Sequence, residues 1–268
     1  MTKNGRLRRR DFARETAESW SPPNFGPSDG ARARIVAPPR RFFDLQAGSI
    51  WRDLKPLLED ARGTVLDVGC GAQPYRGLLP QGTRYVALDT KQAGEHFGYE
   101  APGTLYFEGD VWPISSGTAD LVLCTEMLEH VADPASTLTE AWRCLVPHGQ
   151  LILTVPFAAR WHYAPYDYWR FTPSGLVRLL AAAGFTDIQV YARGGALTVA
   201  CYKCMALMLP SILPQSPSRS RRAVSRVLSL PLVPFVILLA AVGRLSLWGE
   251  GGNDCLGYTA IASKAVSP

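Results

Sequence analysis

Val65-Leu66-Asp67-Val68-Gly69-Cys70-Gly71 is a short apolar run, interrupted by one acid, that breaks into two glycines. The run is too short for a helix, and its continuity suits a strand covered on both faces. Glycines just past such a strand let the backbone approach a ligand closely, and a helix starting there would add free N–H groups. Working outward, similar runs recur at Tyr85–Leu88, Leu105–Phe107, Leu121–Cys124 and Leu151–Val155. Helical stretches lie between several of them, notably Pro134–Leu145. Another, Pro173–Ala183, is opened by Thr172-Pro173 and closed by Gly184. Ile188–Tyr191 and Tyr258–Ala262 are two further strand candidates. The alternation predicts an α/β fold with a mostly parallel sheet and helices on both faces.

Acids sit where these strands end. Asp67 lies two residues before Gly69, Asp89 closes Tyr85–Leu88, and Asp110 follows Tyr106-Phe107-Glu108-Gly109. Each interval fits one β-α-β step, which places all three acids at the carboxyl edge of the sheet, where ligands bind. A dinucleotide loop is a poor match. Pro74 stands where its third glycine belongs, and Asp67 would face a pyrophosphate unfavourably. The acid suits a ligand carrying an ammonium group, and S-adenosylmethionine has one beside a carboxylate that glycine N–H groups could receive. Asp89 could accept from a ribose diol. Asp110 could accept from an adenine amino group while the Val111 N–H donates to the ring. Taken singly, each acid could instead cap a helix or turn.

VLDVGCG (65–71), YVALDT (85–90), FEGD (107–110), DLVLCTEMLEHVADP (120–134) and LVPHGQLILTVP (145–156) together resemble the successive motifs of the class I methyltransferases. Within that class they are similar to the small-molecule group called type 11, over about residues 60–195. The resemblance implies a Rossmann-like seven-stranded sheet whose last strand is antiparallel. It also implies S-adenosylmethionine as cofactor, with Asp67, Gly69 and Gly71 at the methionine part, Asp89 at the ribose, and Asp110 with Val111 at the adenine. Glu126 and His130 resemble residues bordering the cofactor. Gln73 departs from the pattern, since many members carry a third glycine there.

Six aromatic residues crowd Trp161 to Phe171, past the fifth strand. Methyl transfer is an in-line displacement at a sulfonium, so positioning and exclusion of water supply much of the acceleration. Aromatic faces also favour a cationic centre. A hydroxyl acceptor must in addition lose a proton. His162 is the candidate base, because histidine as a class titrates near neutrality. Asp167 or Tyr168 could hold the acceptor. The plainer reading is a packed lid, in which Asp167 pairs with Arg170 and His162 satisfies a backbone group. The segment is also similar to a His, Pro, then Asp-Tyr-x-Arg-Phe-Thr pattern of bacterial type 11 relatives.

The rest of the chain bounds these readings. Of its 268 residues 47% are hydrophobic and 19% charged, a globular composition. The net charge of +5 is too mild to argue for a nucleic-acid enzyme, so no nucleic-acid partner is expected; the methyltransferase reading calls for no metal. Residues 1–39 read as a basic, Pro-rich tail without a secretory signal, and 41–61 as an amphipathic helix. The six cysteines read as reduced thiols of a cytoplasmic protein. The catalytic domain is assigned to 40–195 and 253–265. Between its last two strands lies an apolar helical insertion, 196–252, whose uncharged run 227–243 is just short of a membrane span and carries Pro231 and Pro234. Peripheral membrane contact through 196–247, with arginines on anionic headgroups, is one expectation; a homodimer interface and a cover for the substrate pocket are the others. The leading expectation is O-methylation of a small-molecule or lipid-linked acceptor by a cytoplasmic enzyme, peripheral at the membrane's inner face under the first reading. The rivals are a nucleotide-dependent oxidoreductase and a membrane-peripheral protein that binds the cofactor without transferring its methyl group.

Overall fold

The computed structural model describes residues 31–99, 101–215 and 218–265. The apolar runs pair as expected into one seven-stranded sheet. Its strands are β1 (Thr64–Val68), β2 (Arg84–Thr90), β3 (Thr104–Phe107), β4 (Ala119–Thr125), β5 (Leu145–Pro156), β6 (Phe185–Arg193) and β7 (Gly257–Lys264), in the order β3-β2-β1-β4-β5-β7-β6. The first five are mutually parallel, and β7 runs antiparallel to both β5 and β6. β6 therefore points the same way as β5, so Arg193 at its end reaches the same carboxyl edge as Asp67 and Asp89.

Two apolar layers cover the sheet. On one face Leu66, Val68, Val122 and Leu153 pack with α4 (Pro134–Cys144) and α5 (Pro173–Ala182) through Leu138, Leu176 and Leu180. On the other, Val65, Leu121, Leu123 and Ile152 meet α2 (Leu45–Glu59) through Ile50, Leu54 and Leu58. Thr172 and Asp133 cap α5 and α4, each accepting from backbone N–H groups of the first turn.

Expectations are corrected in two regions. The chain is already helical from Ala31, so the reading of 1–39 as tail fails for 31–39; residues 1–30 lie outside the described residues. This helix, α1 (Ala31–Phe43), contains Pro38 and Pro39, which cannot donate helical hydrogen bonds. Tertiary contacts hold it instead: the Arg41 guanidinium lies 3.3 Å over the Trp51 ring, and Phe42 joins a small core with Leu45, Val236 and Leu256. Asp44 then caps a fresh start, its carboxylate accepting from the Ala47 N–H at 3.1 Å, so the expected single helix 41–61 is two. The second correction concerns the glycine loop. No α-helix follows it, only one 3-10 turn at Arg76–Leu78, because Pro74, Pro80 and Gly82 interrupt the segment. α3 (Lys91–Phe97) comes only after β2.

The insertion forms α6 (Ala196–Ile212), α7 (Arg219–Ser229) and α8 (Leu232–Ser246). α6 and α8 cross closely. A Cβ on Gly243 would lie 2.5 Å from Leu45 Cδ1 and 3.2 Å from Cys201 Cβ. Among the described residues no single helix is long and apolar enough to cross a membrane; α7 and α8 together are, but they are bent by 64°.

Candidate functional site

β1 and β2 deliver their acids in step. Asp67 pairs in register with Ala87, and Asp89 lies two residues further toward the carboxyl edge, opposite Tyr106 of β3. Asp110 stands beyond β3, exposed, and Val111 beside it is 72% exposed. The loop carrying them is anchored from below. Buried Trp112 donates its N–H to Glu140 Oε2 at 2.9 Å, and Arg143, ion-paired with Glu140, reaches the Trp112 and Ile114 carbonyls.

Gly69 and Gly71 both have positive φ, +67° and +54°. A side chain at Gly69 would strike Met127 at 2.4 Å, so the turn there is closed to any other residue. The Gly71 N–H points inward and donates to Asp89 Oδ2 at 2.9 Å. Gln73 also takes a left-handed conformation (φ 55°), which explains why a glycine suits that position. Its amide compensates by tying the loop to β3, donating to Thr104 Oγ1 at 3.1 Å and to the Pro102 carbonyl at 3.2 Å.

The acids differ in their surroundings. Asp89 is well satisfied: Oδ1 accepts from the Thr90 N–H at 2.7 Å, and Oδ2 also accepts from the Tyr99 hydroxyl at 3.0 Å. Asp67 is buried, and Oδ2 accepts from the Tyr85 hydroxyl at 2.6 Å while Oδ1 has no partner. Burial pushes the Asp67 carboxyl up to about 7; the Tyr85 hydrogen bond opposes that rise and the Asp89 charge adds to it. An orphaned buried acceptor of this kind fits a cationic N–H donor.

The aromatic loop clamps onto the segment that leaves β4. The Tyr168 and Trp169 N–H groups donate to the Glu129 carbonyl, and the Trp169 indole donates to the Val131 carbonyl. Tyr163 is buried against His96, Phe97 and His130. Tyr99 lies beside the glycine turn, and Phe97, stacked on Tyr99, links it to Tyr163.

Within the loop Arg170 grips both oxygens of Asp167, and His162 Nδ1 stands 3.1 Å from Asp167 Oδ2 and 3.1 Å from the Arg160 carbonyl. The pairing of the plainer packed-lid reading is therefore present. Although burial opposes it, the Arg170 and His162 hydrogen bonds hold the Asp167 carboxyl well below the usual carboxylate range. With both oxygens engaged and its side chain 1% exposed, Asp167 cannot hold an acceptor; it fixes the His162 ring. Tyr168 is 48% exposed, near enough to buried Tyr163 for the two phenols to interact electrostatically.

His130 and Glu126 are both on the rim. Burial, then the neighbouring His162, push the His130 imidazole down to about 4, and its Nδ1 meets the Tyr166 carbonyl at 2.9 Å. Glu129 is buried with neither oxygen hydrogen-bonded, Oε1 standing 3.5 Å from His130 Nε2, and burial followed by the Glu126 charge raises its carboxyl well above the ordinary range. Glu129, His130 and His162 each offer one ligand atom within 4.8 Å of the others, a set compatible with a divalent cation, where sequence led to the expectation of no metal.

Sequence reading missed Arg193. Its fully buried guanidinium donates to Glu126 Oε1 at 2.7 Å, to the Val155 carbonyl at 3.0 Å and to Ser49 Oγ at 3.2 Å. It thereby ties β4, β5, β6 and α2 together beneath the rim. A lone arginine ending a strand just before Gly194-Gly195 was the only available signal.

A family profile described as "Methyltransferase domain" matches residues 43–190. The ubiquinone biosynthesis O-methyltransferase of Xanthomonas axonopodis pv. citri (strain 306) is 34% identical over 110 residues, 36% of this chain and 44% of that protein. A human thiol S-methyltransferase is 32% identical over 133 residues, 42% of this chain and 50% of its own length. The chain thus spans half or less of the length of these curated relatives. A SAM-dependent methyltransferase from Archaeoglobus fulgidus shares the fold at a TM-score of 0.50 and 17% identity, covering 86% of this chain and 99% of that one.

Proposed function

Because this chain belongs to the methyltransferase-domain family and is an S-adenosylmethionine-dependent methyltransferase, we propose that it methylates an oxygen of a small or lipid-linked acceptor. The observation that carries this reading is one shared rim: the Gly69–Gly71 turn, Asp67, Asp89 and Asp110 stand beside a loop that presents an oriented histidine. In this reading Asp67, Gly69 and Gly71 hold the methionine part, Asp89 the ribose, and Asp110 with the Val111 N–H the adenine. Glu126 and His130 border the cofactor. When bound, the cofactor supplies an electrophilic methyl group on a sulfonium.

The protein's own residues do the remainder. Tyr163 and the loop exclude water, and Asp167 holds His162 so that Nε2 is left to face the acceptor. His162 Nε2 would take the hydroxyl proton of the acceptor as its oxygen receives the methyl group that the bound cofactor would supply. The O-methyltransferase relative supports oxygen as the methylated atom, and the thiol S-methyltransferase relative gives sulfur as the outcome to test against it.

The test uses labelled S-adenosylmethionine with phenolic, aliphatic-hydroxyl and thiol acceptors. Methyl ethers as products support the reading, and thioethers alone overturn it. In that assay His162→Gln is expected to lower kcat by about 100-fold or more at neutral pH, leaving cofactor affinity within a few-fold. An unchanged kcat contradicts the base assignment.

Asp67 gives a proton-linked prediction. Its folded-state value is raised, so the folded protein holds this proton more tightly than the unfolded chain. The resulting stability is present below about pH 4 and is lost as pH rises through about 7. An ammonium group seated on Oδ1 favours the carboxylate. Cofactor binding near pH 6.5 should therefore release part of a proton, seen as a binding enthalpy that depends on the buffer's ionisation enthalpy. Asp67→Asn should abolish that dependence; release that persists in the variant would assign it to another group.

A further inference from the structure

Between residues 188 and 249 the chain contains no Asp or Glu, yet seven Lys or Arg. Three exposed arginines, Arg219, Arg221 and Arg226, lie on α7. That helix rests on α6 through one face, where the Ser225 hydroxyl donates to the Ser211 carbonyl at 2.9 Å and Ser229 is buried. Val224, Val227 and Leu228, at i, i+3 and i+4, form an apolar stripe beside that face that is left open, with Leu228 74% exposed. An amphipathic helix in a soluble core turns its apolar stripe inward; α7 leaves it open.

α8 continues the pattern. Val236, Ala240 and Gly243 pack inward, while Phe235, Ile237, Leu238 and Leu245 are exposed, and Trp248 past its end is 86% exposed. At 15 residues α8 spans only about 22 Å, well short of the roughly 30 Å of a bilayer's hydrocarbon core. The apolar surface is thus open, rimmed by cations and too short to span.

We propose that the outer faces of α7 and α8 form a docking surface for an anionic lipid bilayer, with the apolar side chains entering the acyl boundary and the arginines meeting lipid phosphates. Charge complementarity selects this occupant. An isologous contact with a second copy would bring the same patch onto itself, arginine against arginine, with no acid in the whole segment to pair with. Anionic headgroups supply the missing negative charge, and acyl chains accept an apolar surface without needing shape complementarity.

Topology adds a functional consequence, which rests on the methyltransferase reading. The insertion leaves the sheet at the end of β6 and returns at the start of β7, where Arg193 and Gly257 are register partners. Both points lie on the carboxyl edge that carries the glycine turn and the aromatic loop. A bilayer held by the insertion therefore lies on the side of the domain from which a lipid-linked acceptor would arrive.

Co-sedimentation of the full chain with vesicles tests the surface. Vesicles of 70% phosphatidylcholine and 30% phosphatidylglycerol are expected to bind it, with affinity falling as salt rises, and Trp248 emission should shift to the blue. Pure phosphatidylcholine should bind at least tenfold more weakly. The exposed triple variant Arg219→Glu/Arg221→Glu/Arg226→Glu should lose at least tenfold in affinity for the anionic vesicles while still binding S-adenosylmethionine by calorimetry. Leu228→Ser with Trp248→Ser should weaken binding as well. The proposal is overturned if neither vesicle binds, if the triple variant binds as the wild type does, or if the face is instead buried in a dimer that ignores vesicles. Loss of cofactor binding by the wild-type chain would instead count against the methyltransferase site and leave the docking result to stand alone.

Discussion

Arg193→Ala is expected to destabilise the protein by about 3–5 kcal/mol, measured as a drop in the free energy of unfolding by urea. The guanidinium is fully buried, and its partners are Glu126, the Val155 carbonyl and the hydroxyl of Ser49. Truncation leaves a cavity, an unpaired carboxylate at Glu126 and a carbonyl without its donor, and each of these adds to the cost. Arg193→Met with Glu126→Gln removes both charges while keeping volume, so the double variant should lose distinctly less than Arg193→Ala alone. A loss below about 1 kcal/mol for Arg193→Ala would show that the ion pair does not hold the rim together.

Asp89→Ala is expected to weaken S-adenosylmethionine binding by roughly 100-fold in a calorimetric titration, which corresponds to about 3 kcal/mol. A ribose diol on a carboxylate makes two charge-assisted hydrogen bonds, each with a net value of about 1.5–3 kcal/mol. Part of that is offset, because the Tyr99 hydroxyl already donates to Oδ2 and must yield its place. The variant also strips the Gly71 N–H of its acceptor and so loosens the glycine turn. Affinity within threefold of wild type would remove Asp89 from the cofactor site.

The sheet was legible because its strands are continuous apolar runs that end in acids and glycines, a pattern set by burial on both faces and turning at one edge. β1 to β7 all lie on predicted runs, each lengthened by flanking residues that pair without being apolar, such as Thr64 and Arg193. The acids were legible for the same reason: each marks the end of a run. What sequence could not carry was pairing at long range. Arg193 meets Glu126 across 67 positions, and nothing local signals that contact. Within the aromatic loop the Asp167–Arg170 pairing was legible as one of two readings, but the sequence did not decide between them. Asp167 looks like a ligand-facing acid in sequence, yet Arg170 and His162 take both its oxygens. Helix α1 was misread because two prolines usually end a helix, whereas here the stacking of Arg41 on Trp51 and the packing of Phe42 sustain it.

The most direct test of the whole account is a crystal structure of the chain with S-adenosylhomocysteine. The expected pose has the ligand's amino group on Asp67, its carboxylate at the Gly69–Gly71 turn, its ribose on Asp89 with Tyr99 displaced, and its adenine beside Asp110. A ligand bound elsewhere on the protein, or one seated on the rim with the Asp89–Tyr99 hydrogen bond intact, would contradict it.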